Sequence, residues 1–279
     1  MLQQQLQRND ATIHYQIHGD ADTTLVFLHG WTASVREWTP FVESLAQHYR
    51  VVCWDARGHG LHSYAESTEM TLPAMADDLD ALLNHLHIEN TVLIGHSMGA
   101  LTAWEYLSRH GQSRIKGLCI IDQSPRLVTD EHWKKGVYTE FCNNKNQAFL
   151  QRLEEDFAQG VLELIGQGMN QRSRENFEQN SRGFQQMRGY LEKLPAKLLT
   201  NCWQSITQQD YRDLLPRITI PTLLIYGDES QFYCAELQQW VHEQMKHASL
   251  HVYENSDHSP HLWHKERFIT DLSNFVNAL

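Results

Sequence analysis

A chain of 279 residues is long enough to bury a large core, as one domain or as one domain with an insertion. Its 34 acidic side chains outnumber its 23 Lys and Arg side chains, which gives a formal net charge of −11. That balance argues against nucleic acid or an anionic membrane surface as the main partner. We therefore expect a small-molecule substrate, and the sequence leaves the oligomeric state open.

The sequence contains no evident signal for export or for insertion into a membrane. No apolar run approaches the length of a bilayer span, and residues 1–7 lack the basic start and apolar centre of a signal peptide. The 5 cysteines are odd in number and widely scattered, which indicates reduced thiols and not a disulfide framework. The expected location is the cytoplasm.

Short apolar segments alternate with amphipathic ones through the first part of the chain. We predict strands over 11–18, 24–28, 51–54, 91–94 and 117–122, and helices over 36–49, 72–86 and 100–110. The segment 11–18 alternates apolar and polar residues, as an edge strand does. Regular alternation of strand and helix predicts an α/β fold with a doubly wound, mostly parallel sheet.

The alternation stops in the middle of the chain and resumes near its end. Residues 125–217 are helical in character and rich in aromatic side chains, with no convincing strand. Strands follow at 222–226 and 249–253, with helices at 235–246 and 262–278. We therefore predict a core made of residues 1–124 and 218–279, with 125–217 inserted as a helical lid over the carboxyl ends of the strands.

A serine lies between a predicted strand and a predicted helix, in Gly95-His96-Ser97-Met98-Gly99. Glycine two residues to either side of the serine, in this context, is the nucleophile-elbow pattern. The turn is so tight that a side chain at either glycine would collide with backbone. The pattern predicts that Ser97 presents an exposed hydroxyl beside a helix N-terminus, where negative charge is stabilised.

Two further segments each follow a predicted strand, as the elbow does. His29-Gly30-Trp31 follows one predicted strand, and Asp257-His258-Ser259-Pro260-His261 follows the last one. Together with the elbow, and with the loop over 55–60, they resemble the α/β-hydrolase fold. The likeness is closest to the small bacterial aryl esterases, lactonases and non-haem haloperoxidases. It implies an eight-stranded type of sheet and a serine hydrolase that uses no cofactor.

A serine nucleophile requires a base and backbone donors for the oxyanion. The resemblance places the base at His258, between the last strand and the last helix, while His261 and His264 are nearby rivals. It places the oxyanion hole at the backbone N–H groups of Met98 and Trp31. An ordinary imidazole base predicts that activity falls as the pH drops through roughly 6 to 7.

The acid that orients the base has two candidates. The usual family position, the third residue after Gly227, is occupied here by Ser230, and Asp228 lies close by. Other members of the fold carry the acid one strand earlier, where Asp122 ends an apolar strand. A buried carboxylate needs a partner, and a histidine N–H could supply it. We therefore favour Asp122 as the acid and keep Asp228 as the alternative.

Histidine is abundant in the chain, which raises the question of a metal. His85 and His87 lie two apart on a predicted helix and diverge, so they cannot chelate together. No spacing resembles a set of zinc ligands, and we expect no metal. His96, beside the nucleophile, is interpreted as a packing residue and not as a base.

Three classes of function remain, and the first is favoured. It is a serine hydrolase that forms an acyl-enzyme from a carboxylic ester or lactone with an apolar or aromatic acyl part, acyl-homoserine lactones among them. The second is a cofactor-independent dioxygenase of a heteroaromatic substrate with a His–Asp dyad. Such enzymes carry a histidine after the tryptophan, where this chain has Thr32 after Trp31. The third is a non-catalytic ligand-binding protein of the same fold.

Overall fold

An eight-stranded sheet lies at the centre of the protein, and the computed structural model describes residues 3–279. Met1 and Leu2, the first two residues of the segment 1–7 in which the sequence predicts no signal peptide, lie outside the described residues. The strands are β1 Gln4–Gln7, β2 Thr12–His18, β3 Thr24–Leu28, β4 Arg50–Asp55, β5 Thr91–His96, β6 Ile115–Ile121, β7 Thr222–Gly227 and β8 Ala248–Tyr253.

The strand order across the sheet is β1-β2-β4-β3-β5-β6-β7-β8. Strand β2 runs antiparallel to both of its neighbours, and the pairs from β4 to β8 are parallel. The predicted α/β class with a mostly parallel sheet is therefore confirmed. Among residues 3–279, no helix is long and apolar enough to cross a membrane.

The prediction of an edge strand at 11–18 is wrong in one respect, because β1 pairs with β2 and occupies that edge. The side chains of Gln4–Gln7 are mostly exposed. An edge strand with two solvated faces needs no apolar alternation, so the pattern used to recognise strands is absent there.

Helices cover both faces of the sheet, as a parallel sheet requires. One face packs against α1 (Thr39–Leu45) and α11 (Lys265–Asn277), and the other against α2 (Leu72–His85), α3 (Met98–His110) and α9 (Ala235–Gln244). Thr71 caps the start of α2, because its hydroxyl accepts the N–H of Ala74. Both faces of the sheet are thus shielded from solvent, and polar side chains that react with a substrate are expected at the ends of the strands.

Five helices lie between β6 and β7, in the region predicted to be a lid. They are α4 Asn143–Glu155, α5 Phe157–Gly166, α6 Gln171–Glu178, α7 Arg182–Leu191 and α8 Ala196–Thr207. The β-pairing that the structure describes in this stretch is a single bridge between Thr129 and Cys142. The boundaries 125–217 of a separate lid stay a prediction.

Two predicted helices are divided in the structure. The segment 36–49 is a short 3-10 helix, Val35–Trp38, followed by α1. The segment 262–278 is α10 (Pro260–Trp263) followed by α11, with a break at His264. At the break the His264 ring contacts the carbonyl of Glu254 at 2.8 Å, a tertiary contact that sequence periodicity does not report.

Candidate active site

Ser97 lies on the turn between β5 and α3, with φ +52° and ψ −117°. This left-handed backbone is strained for a serine and is of the kind that clusters at functional sites. A β-carbon at Gly95 would lie 2.6 Å from the backbone nitrogen of Ala100, and one at Gly99 would lie 2.0 Å from the carbonyl oxygen of Leu28. Both glycines are therefore required by close backbone contact, and Ser97 is presented at the carboxyl end of the sheet.

His258, after β8, and Asp122, after β6, meet at the same end of the sheet. His258 Nδ1 lies 3.2 Å from Asp122 Oδ1, and the Asp122 side chain is fully buried. Asp122 also accepts the Ser230 hydroxyl and the Gly227 N–H, each at 3.0 Å. Since a carboxylate only accepts hydrogen bonds, Nδ1 of His258 carries the proton and Nε2 is left as a base.

Burial determines the charge state of His258. It lowers the pKa of the imidazole below its ordinary value of 6.5, although the hydrogen bond to Asp122 opposes the shift. The ring of Phe232 packs edge-on against it with centroids 4.5 Å apart. The backbone N–H of His258 donates to Gln231 Oε1 at 2.7 Å, which holds its loop. The ring is therefore neutral around pH 7.

The alternative residues named from the sequence lie elsewhere. Asp228 is exposed and accepts the backbone N–H of Ser256 at 3.2 Å. His264 contacts the Glu254 carbonyl oxygen, and His261 contacts Glu37. The structure thus brings Asp122 and not Asp228 to His258, and it gives both rival histidines other partners.

The two backbone groups predicted to form an oxyanion hole come from the elbow, at Met98, and from the loop after β3, at Trp31. Within residues 3–279, neither the N–H of Trp31 nor that of Met98 donates a hydrogen bond to another residue. The Trp31 indole donates instead to the carbonyl of Leu199 at 3.0 Å, and its ring lies 4.8 Å from that of Trp203. Both N–H groups are therefore free to bind an oxygen.

A cavity of about 1030 Å³ opens in front of these groups, lined by Ser97, His258 and Trp31. Its remaining wall is largely apolar and comes in good part from the helices between β6 and β7. Typical members are Leu127, Val161, Leu164, Phe184, Trp203 and Phe232. A space of this size and lining suits an apolar substrate oriented by few polar groups.

One group beside the site was missed from the sequence. The buried side chain of Glu37 contacts both His96 Nδ1 at 2.6 Å and His261 Nε2 at 3.0 Å. The sequence predicts a packing role for His96, and His96 is indeed buried, but its Nε2 also lies 2.8 Å from the His258 carbonyl oxygen. No local motif signals this cluster, because its members are far apart in sequence.

The comparisons with known proteins agree with this architecture. A family model described as the alpha/beta hydrolase fold matches residues 23–265. The 3-oxoadipate enol-lactonase 1 of Acinetobacter baylyi is 26% identical over 98% of this chain and 96% of its own length. The pimeloyl-[acyl-carrier protein] methyl ester esterase of Vibrio vulnificus is 27% identical over 95% and 98%.

A solved structure adds a likeness in three dimensions. The bromoperoxidase from Bacillus anthracis superposes with a TM-score of 0.86, at 24% identity, over 99% of this chain and all of that one. At this identity the superposition shows a shared fold. The family model alone spans most of the chain. The chain therefore belongs to the alpha/beta hydrolase fold family.

Proposed function

We propose that this protein is a serine hydrolase that cleaves a carboxylic ester or lactone through an acyl-enzyme. The observation that carries the proposal is the contact between His258 Nδ1 and Asp122 at 3.2 Å, with a serine on a strained elbow in the wall of the same cavity. A neutral imidazole held this way has one free nitrogen, and both it and Ser97 line the same cavity. Nucleophile, acid and base come in the chain order Ser97, Asp122, His258, as this fold requires.

The proposed reaction follows from these positions. Ser97 attacks the carbonyl carbon while His258 Nε2 takes its proton, and Asp122 stabilises the resulting imidazolium. The N–H groups of Trp31 and Met98 receive the developing oxyanion, and such a donor is typically worth about 3 kcal/mol. The protonated His258 then gives its proton to the leaving alcohol. Water then attacks the carbonyl carbon of the acyl-enzyme while His258 Nε2 takes its proton. His258 returns that proton to Ser97 Oγ as the carboxylic acid product leaves.

The wall of the cavity supports a substrate with an apolar or aromatic acyl part, since burial of apolar area then contributes most of the binding free energy. We take residues 125–217 as the lid that supplies much of this wall. Two of the relatives are named for a lactone and a methyl ester substrate. Acyl-homoserine lactones are candidates of the same chemical kind, and slow perhydrolysis is compatible with the same residues.

A panel of p-nitrophenyl esters and lactones of graded acyl length tests this function. We expect turnover by the wild-type protein and a loss of at least about 1000-fold in Ser97→Ala, because the nucleophile is then absent. The backbone oxyanion donors remain in that variant, so it isolates the hydroxyl. No turnover of any ester or lactone by the wild-type protein would contradict the proposal.

A second candidate is a cofactor-independent dioxygenase with a His–Asp dyad, and the position of Asp122 after β6 favours it. In such an enzyme the serine only positions substrate, so Ser97→Ala would retain much of its activity on a heteroaromatic substrate and would still consume oxygen.

A non-catalytic ligand-binding protein is the third candidate function. It would leave Ser97 unlabelled by a fluorophosphonate, whereas a hydrolase is labelled at one site per chain.

A further inference from the structure

Glu37 is a buried carboxylate on which three donors converge. Its Oε2 accepts the backbone N–H of Gly30 at 3.0 Å, and its Oε1 faces His261 Nε2 at 3.0 Å and His96 Nδ1 at 2.6 Å. Its side chain is 6% exposed. A carboxylate that receives two or three donors remains ionised, and His96 and His261 hold the pKa of Glu37 well below its ordinary range despite burial.

The contacts of His96 determine its protonation. Nε2 lies 2.8 Å from the carbonyl oxygen of His258, which can only accept, so Nε2 carries a proton. Nδ1 lies 2.6 Å from a carboxylate oxygen, off the line of a well-formed hydrogen bond, and an unprotonated nitrogen there would place two lone pairs against each other. His96 therefore carries both protons and forms an ion pair with Glu37.

His261 behaves differently although it shares the carboxylate. Its Nε2 donates to Glu37, while its Nδ1 is buried and has no partner in the described part of the chain. Burial lowers the pKa of His261 to about 4, so it is neutral at pH 7. The cluster thus holds one imidazolium, one carboxylate and one neutral imidazole.

We propose that Glu37 and His96 are positioning residues, a buried ion pair that joins the loop of the oxyanion hole to the backbone of the histidine base. One end of the pair holds Gly30, the residue before Trp31, and the other holds the carbonyl of His258. The pair therefore sets the distance between the oxyanion donor and the base. This role rests on the proposed hydrolase, and displacements of about 1 Å in such a site can cost 100-fold in rate.

A metal ion is the alternative occupant of this cluster, since its three ligand atoms lie within 4.8 Å of one another. Two ligands of tetrahedral zinc are about 3.3 Å apart, given bonds of about 2.0 Å. The observed 2.6 Å between His96 and Glu37 is too short for an ion to bridge them. The distances are those of direct contact between the two side chains.

The charge of His96 also acts on the base. The groups that face His96 are Glu37, His261, His258 and Asp122. Its ring centroid lies 4.8 Å from that of His258, and its positive charge lowers the pKa of that base. Glu37→Gln removes the charge that keeps His96 protonated, so we expect the pKa of His258 to rise and the acid limb of the rate profile to move to higher pH.

NMR of protein labelled with ¹⁵N in its histidine rings tests the protonation without reference to activity. In the wild-type protein we expect both ring nitrogens of one buried histidine to stay protonated above pH 6.5, where an ordinary imidazole is neutral, and this signal to disappear in His96→Gln. A neutral His96 across that range would overturn the proposal. A shift of the His96 signals on addition of Zn²⁺ would overturn it in favour of a metal site.

Kinetics with p-nitrophenyl acetate test the positioning. We expect Glu37→Gln to lower kcat about 10- to 100-fold with KM nearly unchanged and with the shifted acid limb, while the exposed Glu43→Gln changes neither. The side-chain amide of His96→Gln can replace the N–H at Nε2, which contacts the His258 carbonyl, whereas that of His96→Asn can replace the N–H at Nδ1, which faces Glu37. We expect His96→Gln to be the more active variant, because it keeps the contact with the backbone of the base. Wild-type kcat and pH profile in a folded Glu37→Gln would refute positioning, whereas an inactive wild-type protein would refute the hydrolase alone.

Discussion

Ser230 Oγ donates a hydrogen bond of 3.0 Å to Asp122 Oδ1. Ser230 stands at the position after β7 where the α/β-hydrolase pattern usually has its acid. The serine at that position therefore supports a carboxylate that comes from the neighbouring strand, and Ser230 and His258 contact the same oxygen of Asp122. This contact explains why the departure from the usual pattern leaves the histidine with a partner.

Replacement of each candidate acid tests this arrangement. Asp122→Asn leaves an amide that can present its N–H to His258 and favour the wrong tautomer, so we expect kcat for ester hydrolysis to fall about 1000-fold or more. Asp228→Asn is the matched control, since Asp228 is exposed and contacts only backbone. Steady-state kinetics of both variants test the assignment of Asp122 as the acid. A comparable loss of kcat in Asp228→Asn, with Asp122→Asn active, would contradict it.

The acid limb of the pH profile should lie lower than the sequence alone predicts. Burial lowers the pKa of His258 below 6.5, with the charge of His96 in the same direction and Asp122 opposing. A base with a lowered pKa stays neutral, and hence active, to lower pH. We expect the midpoint of the acid limb in kcat/KM to lie below 6.5. A midpoint at or above 6.5 would contradict the burial seen for this ring.

The cavity wall should control acyl length. Met187 on α7 lines the cavity, and its replacement by tryptophan fills part of the space. We expect Met187→Trp to lower kcat/KM for p-nitrophenyl decanoate at least about 10-fold relative to the acetate. Met169 is 37% exposed and lies outside the lining, so Met169→Trp should leave that ratio unchanged. If the ratio of kcat/KM for the decanoate to that for the acetate were the same in the two variants, the acyl chain would not bind beside Met187.

Stability should fall in mild acid because of buried neutral histidines. Burial lowers the pKa of His59 to about 3, and its Nδ1 contacts the carbonyl oxygen of Arg57. The unfolded chain binds a proton near pH 6.5 and the folded one does not, so stability is full above that pH and is lost as the pH falls toward 3.

Urea titrations at several pH values measure this loss. We expect His59→Asn, which can keep a donor for Arg57, to reduce the slope of unfolding free energy against pH below 6.5 by about 1.4 kcal/mol per pH unit. The exposed His48→Asn should leave the slope unchanged. An unaltered slope in His59→Asn would mean that this ring is protonated, or already exposed, in the folded protein.

The features predicted from the sequence are those with local causes. Strands β3 to β7 are short, largely apolar runs, and burial on both sheet faces produces that pattern directly. Ser97 and His258 are flagged by their positions after a strand. The structure also places Asp122 beside His258, although the familiar position holds Ser230.

The features that escaped prediction depend on distant partners or on the absence of any pattern. Glu37 meets His96 and His261 only after folding, and nothing near it in the sequence marks it as buried. The edge strand Gln4–Gln7 has no apolar face to reveal it. The break at His264 comes from a contact with Glu254, outside the helix itself.

The account rests above all on a covalent bond to Ser97, and mass spectrometry of the intact protein measures it. Acid quenching during turnover of a p-nitrophenyl ester should trap a species heavier by one acyl group, mapped to the peptide that contains Ser97. In His258→Ala the adduct should form much more slowly, because the base that deprotonates Ser97 is absent. Full turnover with no acylated species, or undiminished turnover by Ser97→Ala, would contradict the mechanism.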